Sequence, residues 1–145
     1  MVYFGEYRGK LDNQCRLVIP AKLRSVLCAG KNRAVYIVRG FEKCFFLFSE
    51  KTWQQESEKL GQLPLTRSKA RAFSRFFFSG VYQSKIDRQG RVLIPELLLN
   101  HAGIRDKVVV VGVGNKIEVW SEEVWDGYFT ETAPMASEIA DQLDL

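Results

Sequence analysis

Two carboxylate–guanidinium pairs stand at the same spacing in this sequence, Asp12-x-x-x-Arg16 and Asp87-x-x-x-Arg91. Each Asp follows an extended segment and opens a polar stretch, where its side chain can accept backbone N–H bonds and hold a turn. Each Arg opens an apolar run, "RLVI" or "RVLI", whose continuous apolar character predicts a buried strand. An Arg at the lip of such a strand has a fixed root and a guanidinium free to project outward, and the nearby Asp can hold that fork by a charge-assisted bond. This chemistry suits an Arg that must reach guanine O6 and N7, or a phosphate, because little freedom remains to be lost on binding. One such pair alone would read as a local salt bridge. The repetition is what points to a contact surface.

The pairs sit inside a longer repeat. "KLDNQCRLVIPAKL" begins at Lys10, and "KIDRQGRVLIPELL" begins seventy-five residues later at Lys85; seven of the fourteen positions are identical. Basic residues gather around both copies: Arg8, Lys10, Lys22 and Arg24 at the first, Lys85 and Arg88 at the second. A β-ribbon flanked by basic side chains is one way to enter the major groove of duplex DNA.

The elements that must position these residues also repeat. Pro20 and Pro95 suit the first position of short helices, with Gly30 and Gly103 at plausible stops. Two β-rich runs follow, each read as a hairpin, turning at Gly40 in one copy and around Gly112, Gly114 and Asn115 in the other. Ser49 and Ser121, each followed by acids and a Trp, predict helix starts. The order in each half is strand, turn, strand, short helix, hairpin, helix. Neither half, at about 45 residues, closes a core or covers its strand edges alone, so the two copies are expected to pair as a pseudo-twofold unit. Between them Pro64 separates two helices. The second carries Arg67, Arg71 and Arg75 on one face and Ala70, Phe73, Phe76 and Phe77 on another. It is expected to pack its Phe face on the sheet, with its Arg face in solvent or against another subunit; a DNA-contacting helix is the other reading.

Composition narrows the function class. The chain has 145 residues, 46% hydrophobic, a net charge of +4 and a pI of about 9.0, while its last fifteen residues carry acids and no base. The rest is therefore more basic than the average and favours an anionic partner. No apolar run reaches membrane-spanning length, and the N-terminus lacks a secretory pattern, so a cytoplasmic protein is expected. Cys15, Cys28 and Cys44 form no CxxC and read as reduced thiols. No nucleophile elbow, Walker sequence or metal-ligand set occurs. His101 reads as a helix-terminal residue, and the glycines of "VGVGNK" as a turn rather than a phosphate cradle. An enzyme is not expected, nor a cofactor, a metal or a small-molecule substrate.

The doubled motif "LDxxxRLVIP…IDRQGRVLIP", together with the connector and both Trp-bearing repeat ends, resembles the MraZ family, built from two repeats related to the SpoVT/AbrB DNA-binding domain. The resemblance covers nearly the whole chain. It implies an α+β fold, mainly β, in which two hairpins swap within one chain to form an AbrB-like barrel, assembled into a ring-like homo-oligomer. On that pattern, residues 1–53 form the first repeat, 54–80 a helical connector, 81–125 the second repeat and 126–145 a partly helical tail. It further implies a nucleoid-associated repressor that binds direct repeats upstream of the division and cell-wall gene cluster, its own gene included. Asp12, Arg16, Asp87 and Arg91 carry over as motif residues. Arg24 falls where AbrB-like domains often have a DNA-facing Arg, and Leu99 takes that place in the second copy. Gly90 matches the loop Gly of the family, but Cys15 replaces it in the first copy. If the position takes left-handed backbone, a side chain there costs on the order of 1–2 kcal/mol, and a differently shaped first loop is expected. The alternative on the same barrel is an antitoxin-like protein-binding module, with Met135, Ile139 and Leu143 of the tail as apolar contacts.

Overall fold

Leu17 and Val92 lie opposite each other on the two shortest strands, and the two halves of the chain are arranged about that pair. The computed structural model describes residues 2–30 and 32–145. The first half runs β1 (Glu6–Lys10), β2 (Arg16–Val18), α1 (Ala21–Leu27), β3 (Ala34–Arg39), β4 (Cys44–Ser49) and α2 (Glu50–Gly61). After α3 (Ser68–Ser79), the second half repeats the order: β5 (Val81–Lys85), β6 (Arg91–Leu93), α4 (Glu96–Ala102), β7 (Lys107–Gly112), β8 (Ile117–Ser121) and α5 (Glu122–Thr132). A 3₁₀ turn, Ala133–Met135, leads into α6 (Ala136–Gln142). The fold is α+β with antiparallel sheets, and each half has the order of elements that the sequence predicts.

The two halves exchange strands. One sheet has the order β1-β7-β8-β4-β3-β5, and β2 and β6 form a separate two-stranded ribbon. β1 of the first half pairs with β7 of the second, Glu6 opposite Val111 and Lys10 opposite Lys107. β5 of the second half pairs with β3 of the first, Val81 opposite Val38. β4 and β8 join the two hairpins in the middle. Neither hairpin is therefore completed by its own half.

The long apolar runs of β3, β4, β7 and β8 follow from burial on both faces. On one face Val35, Ile37, Phe45, Leu47, Val108, Val110, Ile117 and Val119 meet Leu23 and Leu27 of α1, Leu98 of α4, and Leu17 and Val92 of the ribbon. On the other, Val38, Phe46, Phe48, Val109, Val111 and Trp120 pack against Trp53 of α2, Phe77 of α3 and Val124 of α5. Ser49 and Ser121 cap α2 and α5 by accepting the Thr52 and Val124 backbone N–H groups.

Several expectations are corrected. Pro20 and Pro95 sit one residue ahead of their helices, at the N-cap, with extended ψ angles of 140° and 143°. Gly103 takes the left-handed cap of α4, but α1 ends at Leu27 with Cys28 as its cap, and Gly30 plays no such part. In α3, Phe73 and Phe77 do stack toward Trp53 and the sheet. Phe76 stands one step around the helix, 39% exposed, under the Arg39 guanidinium and beside His101. His101 closes α4 as a structural residue, its Nε2 within 3.1 Å of Gly40 O and 3.0 Å of Glu42 O.

Candidate nucleic-acid interface

The side chain of Asp12 organises its loop through both carboxylate oxygens. Oδ1 accepts the backbone N–H of Gln14 and of Arg16, both at 2.9 Å. Oδ2 accepts Arg16 Nε at 2.7 Å. The backbone closes the same turn, Cys15 N–H to Asp12 O and Asp12 N–H to Arg16 O, both at 3.1 Å. Asp87 repeats the pattern, with Gln89 N–H at 2.9 Å, Arg91 N–H at 2.8 Å and Arg91 Nε at 2.7 Å. These bonds hold both carboxyl groups below the usual Asp range, the backbone N–H of Arg16 or Arg91 being the chief cause in each.

The use of Nε has a consequence for the Arg. It fixes the arm from the side and leaves the two Nη atoms at the far edge, the edge that spans O6 and N7 of a guanine. Among the described residues, no acceptor takes either Nη of Arg16, and Arg91 Nη2 makes one long bond, 3.3 Å, to Gln89 Oε1.

The ribbon places these two forks together. Arg16 pairs with Leu93, Leu17 with Val92 and Val18 with Arg91. Bonds from Ile94 N–H to Cys15 O at 3.0 Å and from Ile19 N–H to Gly90 O at 2.9 Å extend the ribbon symmetrically. Leu17 and Val92 point into the core, so alternation turns Arg16, Val18, Arg91 and Leu93 outward. From strand rise and spacing, the Arg roots lie roughly 8 Å apart, about two base-pair steps of 3.4 Å. The apolar runs are thus not buried throughout, as their sequence predicts. Val18 and Leu93 are 54% and 57% exposed, each beside an Arg. An aliphatic group there can meet a thymine methyl. Sequence reasoning missed both, because an apolar residue in an apolar run carries no sign of facing out.

The first loop is not differently shaped. Cys15 takes φ +60° and Gly90 φ +78°, so Cys15 holds the left-handed backbone with its thiol exposed. What differs is the surroundings. Arg24 reaches from α1 across to the second loop, its Nη1 donating to Gln89 O at 3.3 Å, and a Cβ on Gly90 would collide with it. Arg33, which the sequence reading did not single out, donates Nε to Ile86 O and Nη2 to Asp87 O, both at 3.0 Å. The place equivalent to Arg33 belongs to Asp106: Leu11 N–H bonds to Asp106 O as Ile86 N–H bonds to Arg33 O.

The remaining basic residues are dispersed. Lys10 and Lys85 are exposed at equivalent ends of β1 and β5, Lys22 is exposed on α1, and Arg88 is exposed in the second loop. Lys10 lies 3.9 Å from Asp106. Arg8 does not join the ribbon's forks. Asp126 binds it at 2.8 Å and Glu6 at 3.0 Å, with Glu122 at 3.7 Å, so it ties α5 to β1. Nothing in the sequence near Arg8 announces Asp126, which is contributed from the far end of the chain.

The family described as "MraZ protein, putative antitoxin-like" matches twice, over residues 2–76 and 77–144. The chain belongs to the MraZ family. It is 40% identical over 142 residues to a protein of Heliobacterium modesticaldum named Transcriptional regulator MraZ, and equally to one of the same name from Natranaerobius thermophilus. Each alignment covers 98% of this chain and 96% of the relative. The doubled family match agrees with the doubled loop and ribbon strand, and the names of the relatives describe regulators rather than catalysts. Among the described residues no cluster of three or more metal-ligating side chains occurs, and no helix is long and apolar enough to cross a membrane.

Proposed function

We propose that the chain regulates transcription by binding duplex DNA through the β2–β6 ribbon, with Arg16 and Arg91 reading guanine and Lys10, Lys22, Arg24, Lys85 and Arg88 meeting phosphates. The observation that carries this reading is the Nε clamp, made twice on one ribbon, which leaves the outer edge of each guanidinium available for a base. Asp12, Asp87 and Gly90 shape the loops. Arg8, engaged by three carboxylates, is left out of the interface.

The finer reading follows the family resemblance. Residues 1–53 and 81–125 act as two SpoVT/AbrB-like repeats whose swapped hairpins form a barrel, residues 54–80 connect them, and 126–145 are a helical tail. Copies assemble into a ring-like homo-oligomer that occupies direct repeats upstream of the division and cell-wall genes and its own gene, as a cytoplasmic, nucleoid-associated repressor. Occupancy, not chemistry, is the mechanism. Each ribbon binds weakly, and linked ribbons multiply the affinity where the boxes are spaced to be engaged together.

The test is fluorescence anisotropy with a labelled direct-repeat fragment from upstream of the gene, against a scrambled duplex, over a salt series. Tight binding with clear preference for the repeats is expected, with a slope of log affinity against log salt of about −0.9 per neutralised phosphate. Equal, weak binding to both duplexes would refute the reading. It would turn attention to the antitoxin-like alternative, for which the tail offers Met135 and Leu143, 51% and 64% exposed.

A further inference from the structure

Resting on the DNA-binding reading, we propose that the two loops are unequal, that the second loop is the principal reader, and that this inequality gives each bound box a direction. The ribbon backbone is symmetric about Leu17 and Val92, and the two loops share their hydrogen bonds. A symmetric reader demands a palindromic site, because the symmetry of an operator mirrors that of its protein. The side chains around the loops break the symmetry at equivalent places. Over the second loop stand Arg24 and Arg33, both bonded to its carbonyl oxygens, beside Lys85, Arg88 and Arg91. At the first loop the equivalent places are taken by Leu99, which is buried in the core, and by Asp106, which lies 3.9 Å from Lys10. Arg105, next to Asp106, makes no hydrogen bond to the first loop. Asn13 takes the place of Arg88.

The physical effect is twofold. Lys85, Arg88, Arg24 and Arg33 gather around Asp87 with no further acid among the described residues, whereas at the first end Asp106 offsets part of the charge of Lys10, Arg105 and Lys107, so phosphates are attracted more strongly to the second end of the ribbon. The second loop is also braced from both sides by guanidinium-to-carbonyl bonds, so it loses less freedom when Arg91 engages a base. Gly90 is required for this arrangement, since a side chain there would displace Arg24; Cys15 is compatible with the first loop because Leu99 replaces that Arg. Arg33 acts as a positioning residue through the loop backbone. A ribbon with a strong and a weak end reads the duplex in one sense, which fits boxes repeated head to tail.

Two measurements on the full-length protein test this. Binding of single-box duplexes is compared for Arg91→Ala and Arg16→Ala, after thermal unfolding has shown that both variants fold. Arg91→Ala is expected to weaken binding roughly 10- to 100-fold, and Arg16→Ala clearly less. Arg33→Lys, which keeps the charge but not the fork, is expected to lose affinity with the salt slope unchanged. An iron-chelate cleaving group attached at the exposed Cys15, with Cys28→Ser to direct it, then marks the first loop on the DNA. Cleavage on one side of the box supports a directional reader. Equal losses for the two Arg variants, a larger loss for Arg16→Ala, or cleavage on both sides would overturn the inequality while leaving DNA binding intact. No loss for either folded variant would instead refute the ribbon as the DNA-binding site.

Discussion

Gly90→Ala tests directly how the second loop is held. The backbone at φ +78° costs an L-residue on the order of 1–2 kcal/mol. A Cβ there also meets Arg24 Nη1, so Arg24 must swing away and give up its 3.3 Å bond to Gln89 O. That bond is long and near solvent, and its loss is assigned about 0.5 kcal/mol, the low end for a hydrogen bond. The lower entropy of an unfolded chain with Ala in place of Gly returns about 0.4–1 kcal/mol. The net expectation is a destabilisation of about 0.5–2 kcal/mol, which for a chain of this size lowers Tm by roughly 2–6 °C. Thermal unfolding by circular dichroism, at equal protomer concentration, is compared across the wild type, Gly90→Ala, Arg24→Ala and the double variant. The backbone penalty persists in both backgrounds, while the Arg24 part vanishes once Arg24 is absent. The first loop already carries the backbone strain alone, in Cys15. An unchanged Tm for Gly90→Ala, or an identical penalty in both backgrounds, would refute the close approach of Arg24 to the second loop.

Because Asp12 and Asp87 are held below the usual carboxylate value, their contribution to loop order is complete above about pH 3.9 and is lost as pH falls through their lower folded values. In an NMR titration the amides of Gln14, Arg16, Gln89 and Arg91 should therefore shift only below the ordinary Asp range; shifts centred at or above it would contradict the clamp. Val18→Ser and Leu93→Ser should weaken binding to a thymine-containing box and have little effect once those thymines are replaced by uracil, which lacks the methyl; equal losses on both DNAs would rule out methyl contacts. Phe77→Ala, which empties a site 2% exposed beside Trp53 and Phe73, should lower stability by about 3–5 kcal/mol in urea unfolding. Arg8→Ala should release α5 to hydrogen exchange without changing DNA affinity; a large loss of affinity would return Arg8 to the interface.

What was legible in the sequence is what is decided within a few residues. The Asp side chain closes its own turn four residues before its Arg, Ser49 and Ser121 cap the helices they precede, and each hairpin turns at its glycines. These signals are local, and they repeat. The contacts missed are made over distance. Arg24 and Arg33 brace a loop more than fifty residues away, and Asp126 holds Arg8 from the opposite end of the chain. The outward turn of Val18 and Leu93 depends on which neighbour the strand pairs with, which apolarity alone does not encode. Steric cost alone predicts a differently shaped first loop, whereas Cys15 adopts φ +60°. Cys15 takes the left-handed backbone because Asp12 accepts three hydrogen bonds that define the turn, and α4 has Leu99 where α1 has Arg24.

The exchange of β1 and β5 between the halves sets an order of events at the ribosome. Glu6 must wait for Val111, roughly a hundred residues downstream, before its strand has a partner. At about 5–20 residues per second, the first hairpin spends several seconds as an emerged but uncompleted sheet, its apolar residues lacking β5, β8 and the ribbon. Contacts this distant in sequence make closure slow. A nascent first repeat is therefore a stretch of open strand edge among neighbours carrying the same edge on one messenger. The second copy of the motif serves as a partner made on the same chain, close enough to reach the first repeat before a neighbour does.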